Sequence, residues 1–208
     1  TPRTSSAASD VYKRQGLIDA KLGELGIREN TILIFYGDNG TPREVTSKMR
    51  DGRVISGGKG LNNRRGTHVP LIVNWPGSQA GGRVVSDLVD TTDFIPTLLE
   101  AAGIPFPQNE IFDGRSFLPQ VIGEKGNPRD WVFIHHDPLP GHNKIGRSLS
   151  RWIQDKQYQL FDETGHHNFF DFTTDPELLH PIDLRNANDE TKAAHEKLKR
   201  AIATMQND

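Results

Sequence analysis

An aspartate and an asparagine stand side by side where an apolar run gives out, in Thr31-Ile32-Leu33-Ile34-Phe35-Tyr36-Gly37-Asp38-Asn39-Gly40. Asp38 offers a hard carboxylate and Asn39 an amide carbonyl, a set of oxygens that suits calcium or magnesium better than zinc. If the run is a strand of an open α/β sheet, the pair lies just beyond its carboxyl end, where such sheets gather ligands. The same letters also spell a hairpin, because Asn-Gly after an apolar run favours a type I′ turn. Against the hairpin, residues 41–60 are polar, charged and glycine-rich, with no returning strand expected before Val69.

About twenty residues on, Lys59 stands among glycines in Gly57-Gly58-Lys59-Gly60. A cation on a backbone that can approach its ligand closely suits an oxyanion such as sulfate or phosphate. This is not a Walker loop, since no Ser or Thr follows Gly-Lys and the glycine spacing differs. Alone, the segment reads better as an exposed flexible loop. Arg64 and Arg65 either steer an anion toward Lys59 or lie on an exposed loop. His68 either lines the anion pocket or packs at the start of the next strand. His135, His136, Asp137 and His142 form a later cluster, but adjacent residues on a strand point to opposite faces and cannot chelate jointly. They are expected on a loop, with His136 at the mouth of a cleft touching sugar hydroxyls or in a plain surface turn. His166 and His167 are expected in a solvated hairpin turn.

The elements that position these groups follow from periodicity. Leu17, Ile18, Leu22 and Leu25 have helical spacing, and Thr31–Tyr36 and Leu71–Asn74 read as strands of an α/β unit. Thr91 to Ala102 predicts a helix with Phe94, Ile95, Leu98 and Leu99 as its buried stripe, Thr91 or Thr92 as cap and Pro96 in the first turn. Short strands are expected at Trp131–Ile134, Ser150–Asp155, Gln157–Phe161 and Phe169–Phe172, then a helix from Glu190 to Met205. Asp175-Pro176 is expected to be a structural turn.

Taken together, TILIFYGDNG, GGKG, THVPLIVNWPG, VDTTDFIPTLLEAAGI and FFDFTTDPELLHPIDL resemble the type I sulfatases of the alkaline phosphatase superfamily. The resemblance covers nearly all of residues 16–208. It implies the C-terminal part of an alkaline-phosphatase-like α/β sandwich, plus a small antiparallel-sheet subdomain with a C-terminal helix. Residues 16–105 would belong to the catalytic α/β domain and 106–208 to the subdomain. Residues 1–15, with no apolar period, read as a tail that is disordered or foreign to the fold.

The resemblance further implies that Asp38 and Asn39 ligate Ca2+ (or Mg2+) and that Lys59 contacts the sulfate as a catalytic and binding residue. His68 and His136 are the other substrate-binding candidates. Phosphatases of the superfamily tend to carry Asp-His-Gly where this chain has Asp38-Asn39-Gly40, which favours sulfate chemistry. The family's formylglycine arises from a Cys/Ser-x-Pro-x-Arg motif, and this sequence has no cysteine and no such serine. The nucleophile is therefore expected in a missing N-terminal part, and the chain alone is expected to be inactive. A phosphodiesterase or phosphonate monoester hydrolase, or a non-catalytic sulfated-glycan-binding homologue, is the alternative.

The net charge of −2 points to neither nucleic acid nor an anionic membrane, and no apolar run could span a bilayer. Without cysteine, disulfides and thiolate metal sites are excluded. A sulfated small molecule or polysaccharide is the expected partner. A periplasmic or extracellular location follows from the resemblance alone.

Overall fold

The computed structural model describes residues 6–78, 80–137, 150–162 and 168–205, with side chains from residue 14 onward. Helix α1 (Ser6–Glu24) starts ten residues ahead of the expected Gly16, through a stretch whose alanines favour helix. Its apolar stripe does not enter a core: Leu17, Ile18 and Leu25 are exposed.

Strand β1 (Leu33–Tyr36) comes next, followed by β2 (Thr46–Lys48), β3 (Val54–Ser56), the short helix α2 (Arg64–Thr67) and β4 (Leu71–Asn74). β1 and β4 pair antiparallel, with Leu33 opposite Asn74 and Tyr36 opposite Leu71. The expected α/β unit is thus a long-looped ladder. A parallel pair needs a crossover of a dozen or more residues, usually a helix, and the connection here carries only four residues of helix in α2. Within that connection β2 and β3 make a hairpin, which the polar composition of 41–60 did not announce. The Asp51 carboxylate folds its turn by accepting from the Arg53 N–H at 3.0 Å.

Asp90, rather than Thr91 or Thr92, caps the 3-10 turn Thr91–Asp93 in a reciprocal box with Asp93. Helix α3 (Phe94–Ala101) continues from it, with Pro96 in the first turn as expected. The predicted stripe is half wrong, because Ile95 is 59% exposed and Leu98 48%, while Pro96 and Thr97 are buried. Polar anchors fix this face. The Thr97 hydroxyl donates to the Asp93 carbonyl at 2.7 Å and accepts from the Phe117 N–H at 3.0 Å.

The expected boundary near residue 105 falls between α3 and α4 (Leu118–Ile122). Strong bonds pass over it. Buried Asp93 accepts from Arg129 Nε at 2.9 Å, from Arg129 Nη2, and from the Arg115 N–H at 2.8 Å.

Strands β5 (Val132–His136), β6 (Ser150–Gln154), β7 (Tyr158–Phe161) and β8 (Phe169–Asp171) form an antiparallel meander in chain order. Helix α5 (Asp189–Thr204), capped by Asn188, lays Leu198 and Ile202 on Ile153, Tyr158, Leu160 and Phe169. This small sheet with its closing helix is the arrangement the periodicity predicts. Alternation leaves Val132, Ile134 and His136 on the face away from α5, opposite Gln154, Trp152 and Ser150. β5 runs two residues beyond the expected strand, so His135 and His136 sit in a ladder and not in a loop. Cross-strand pairing with Arg151 and Ser150 holds them there. His142, His166 and His167 lie outside the described residues.

Candidate functional site

The Gly37 N–H donates to the Pro70 carbonyl at 3.3 Å and closes the β1–β4 ladder. Asp38 and Asn39 step out beyond it, both exposed. Among the described residues no group engages either side chain, so two oxygen donors point outward from the carboxyl end of a strand. The next residues bind this corner to the lysine loop. Gly40 N–H donates to the Gly66 carbonyl at 3.1 Å, and Lys59 N–H to the Thr41 carbonyl at 3.0 Å. Arg43 donates to the Lys59 carbonyl at 3.0 Å and to the Gly60 carbonyl at 3.2 Å. Glycine is required where these loops meet α2, because a Cβ on Gly40 would overlap the Arg65 carbonyl and one on Gly58 the Arg65 Cβ. The backbone of Lys59 is therefore fixed while its ammonium stays exposed and, among the described residues, unpaired.

His68 follows α2. Its Nδ1 lies 3.0 Å from Arg64 Nη2, and a guanidinium can only donate, so the ring nitrogen accepts and the imidazole proton sits on Nε2. Packing around the ring and then the Arg64 charge hold the His68 pKa below its ordinary value of 6.5, although the residue as a whole is exposed. Arg64 is itself seated 4.8 Å above the Phe172 ring. Arg65 pairs with Glu177 and reaches the Ser56 carbonyl at 3.4 Å. Neither arginine is a free steering charge; both tie α2 to its surroundings. Asp175 accepts from the His180 N–H at 2.7 Å and makes the structural turn expected of it.

A cleft of about 1040 Å³ gathers much of this set. Asp38, Asn39, His68 and His136 line it. Lys59 does not, though the next residue, Gly60, does. The floor is the face of β5 and β6 turned away from α5, and it brings in Trp152 and Gln154. Sequence reading missed these two. Their strand was legible, but nothing local says which of its faces meets the cleft.

Asp38 and Asn39 fit a hard cation by donor type and by being open. They supply two oxygens of the six to eight that calcium takes. Among the described residues no group of three or more His, Cys, Asp or Glu is placed to hold a metal.

The profile of the family described as N-sulphoglucosamine sulphohydrolase, C-terminal, matches residues 59–208. Human arylsulfatase A is 33% identical over 120 residues, covering 58% of this chain and 23% of that protein. A protein solved in complex with its substrate D-glucosamine-2-N,6-O-disulfate superposes with a TM-score of 0.62 at 19% identity, over 92% of this chain and 37% of that one. The phosphonate monoester hydrolase of Silicibacter pomeroyi gives 0.59 at 22%, over 96% and 38%. Thus the chain spans about a fifth of the length of the curated relatives it matches. The structural likeness shows the mixed α/β fold expected from the sequence.

Proposed function

Since the chain belongs to the N-sulphoglucosamine sulphohydrolase C-terminal family of sulfatases, we propose that it supplies one wall of a sulfatase cleft. The whole protein would hydrolyse sulfate esters, either aryl sulfates or sulfated carbohydrates. Residues 16–105 would complete the catalytic α/β domain and 106–208 would form its small subdomain. The observation that carries this reading is the convergence of Asp38, Asn39, His68 and His136 on one cleft, with the lysine loop at its edge.

Asp38 and Asn39 would hold the calcium or magnesium ion, which when bound supplies Lewis acidity toward a sulfate oxygen. Lys59 would offset the negative charge of the group in transfer, the kind of electrostatic contact that usually contributes the largest catalytic term. His68, neutral with its proton on Nε2, would donate that N–H to the ester or to a sulfate oxygen. Arg64 fixes the tautomer. The nucleophile, a formylglycine in sulfatases, would come from sequence preceding these residues. A periplasmic or extracellular setting fits the reading, and no described helix is long and apolar enough to cross a membrane.

The test is hydrolysis by the full-length polypeptide that carries this chain. The expected result is turnover of 4-nitrophenyl sulfate or a sugar sulfate that chelation abolishes. Faster turnover of a phosphonate monoester would instead favour the second reading, which the likeness to the phosphonate hydrolase supports. Metal binding with no hydrolysis of either ester would leave a glycan-binding homologue.

A further inference from the structure

Buried polar atoms in folded proteins are almost always paired, and each exception calls for a cause. Among the described residues, two exceptions stand two residues apart on one face of β6: Trp152 Nε1, a donor, and Gln154 Oε1, an acceptor. Their residues are 1% and 8% exposed, and both line the cleft. A third open acceptor, Gln120 Oε1 of α4, lines the same cleft. Gln159, opposite Gln154 on β7, donates its amide to the Asn62 carbonyl at 2.8 Å; its Oε1 is also without a partner among the described residues, but it does not line the cleft.

We propose that Trp152 and Gln154 form a hydroxyl-binding subsite on the cleft floor, which selects a polyhydroxylated sulfate ester over an aryl one. A hydroxyl donates and accepts at once. On a polyhydroxylated ligand, one hydroxyl can accept from the indole N–H while the same or a neighbouring hydroxyl donates to Gln154 Oε1. A sulfate oxygen accepts only and leaves Gln154 Oε1 unpaired, and an aromatic ring offers neither bond. The direction of the strand adds a constraint. His136, Trp152 and Gln154 follow one another along the shared face through the pairs His136–Ser150, Ile134–Trp152 and Val132–Gln154. At about 3.3 Å per residue this strip is roughly 13 Å long, and all three residues face the cleft that holds Asp38 and Asn39. A strip of that length suits a ligand that continues beyond its sulfated carbon.

The subsite rests on the sulfatase reading, and the experiment separates the two. In the full-length enzyme, kcat/KM is measured on 4-nitrophenyl sulfate and on a panel of glucosamine sulfates, for the wild type, Gln154→Leu and Trp152→Phe. The second variant keeps a ring in place if the first fails to fold, and thermal melting reports which variants are folded. The expected result is a fall of about tenfold in the sugar-over-aryl ratio for either variant, the size of one lost hydrogen bond. An unchanged ratio in a folded variant overturns the subsite, as does a wild type that cleaves the aryl ester and no sugar ester. A wild type that cleaves no sulfate ester overturns the sulfatase reading and the subsite with it.

Discussion

His68 shows how one contact sets the chemistry of a residue. With Nδ1 accepting from Arg64 at 3.0 Å, the folded chain holds the neutral ring, and its pKa lies below 6.5. The unfolded chain takes up the proton first as pH falls. The contribution of His68 to stability is thus complete above about pH 6.5 and is lost as pH drops toward the lowered folded value. Thermal melts between about pH 7 and 5 should show a steeper acid-side loss for the wild type than for His68→Gln. Equal slopes would mean that the Arg64 contact does not hold in solution. Lys59 is the opposite case, a fixed backbone with an ammonium that no described residue engages. Lys59→Ala in the full-length enzyme is expected to lower kcat by about 10²–10³ and leave the melting temperature near that of the wild type. An unchanged kcat would remove Lys59 from the mechanism. The candidates themselves were legible from residue type and local spacing, since Asp38-Asn39 and Gly-Lys-Gly are short contiguous signals. Trp152 and Gln154 were not, because their meaning comes from cross-strand register and from a cleft wall supplied by residues far off in sequence.

At the scale of elements, alternation and helical period located the meander and α5 well, because their apolar residues do form one core. The same reasoning failed on α3, where polar anchors turn Ile95 and Leu98 outward. It also failed on the hairpin β2–β3, whose exposed strands carry no burial pattern to read. The Asp93–Arg129 pair is the polar anchor of greatest consequence. Removing one partner of a buried pair strands the other, so Asp93→Asn is expected to destabilise the fold by about 3 kcal/mol or more. Denaturant melts should show it as a large fall in midpoint; a loss under about 1 kcal/mol would mean that the carboxylate is dispensable. Gly58→Ala acts elsewhere. A methyl against the Arg65 Cβ forces the lysine loop away from α2, at a cost of about 1–3 kcal/mol.

Across the whole molecule, the apolar surface is unevenly spent. The meander buries its side chains, whereas α1 and α3 and strands β1 and β4 leave Leu17, Ile18, Phe35, Ile72, Ile95 and Leu98 exposed. Patches of this kind mark contact surfaces or aggregation sites. With only two of the oxygens that calcium requires among the described residues, the chain on its own is expected to bind the ion on the order of millimolar or weaker. Calorimetric titration of the 208-residue chain with calcium checks this, and micromolar affinity would mean that further ligands lie within the chain. The neck formed by Gly37 and Pro70 has a different consequence. The polypeptide leaves the ladder and returns to it at one point, so Asp38, Asn39, Lys59 and His68 all ride on a single handle. Beyond the neck, the handle is tethered to the meander side by Arg65–Glu177, by Asn62–Gln159 and by Arg64 over Phe172. If those tethers release, the four groups swing away from His136 as one rigid piece with their mutual geometry kept. Amide protons of residues 41–68 would then exchange with solvent as a block, well before those of β6 and β7.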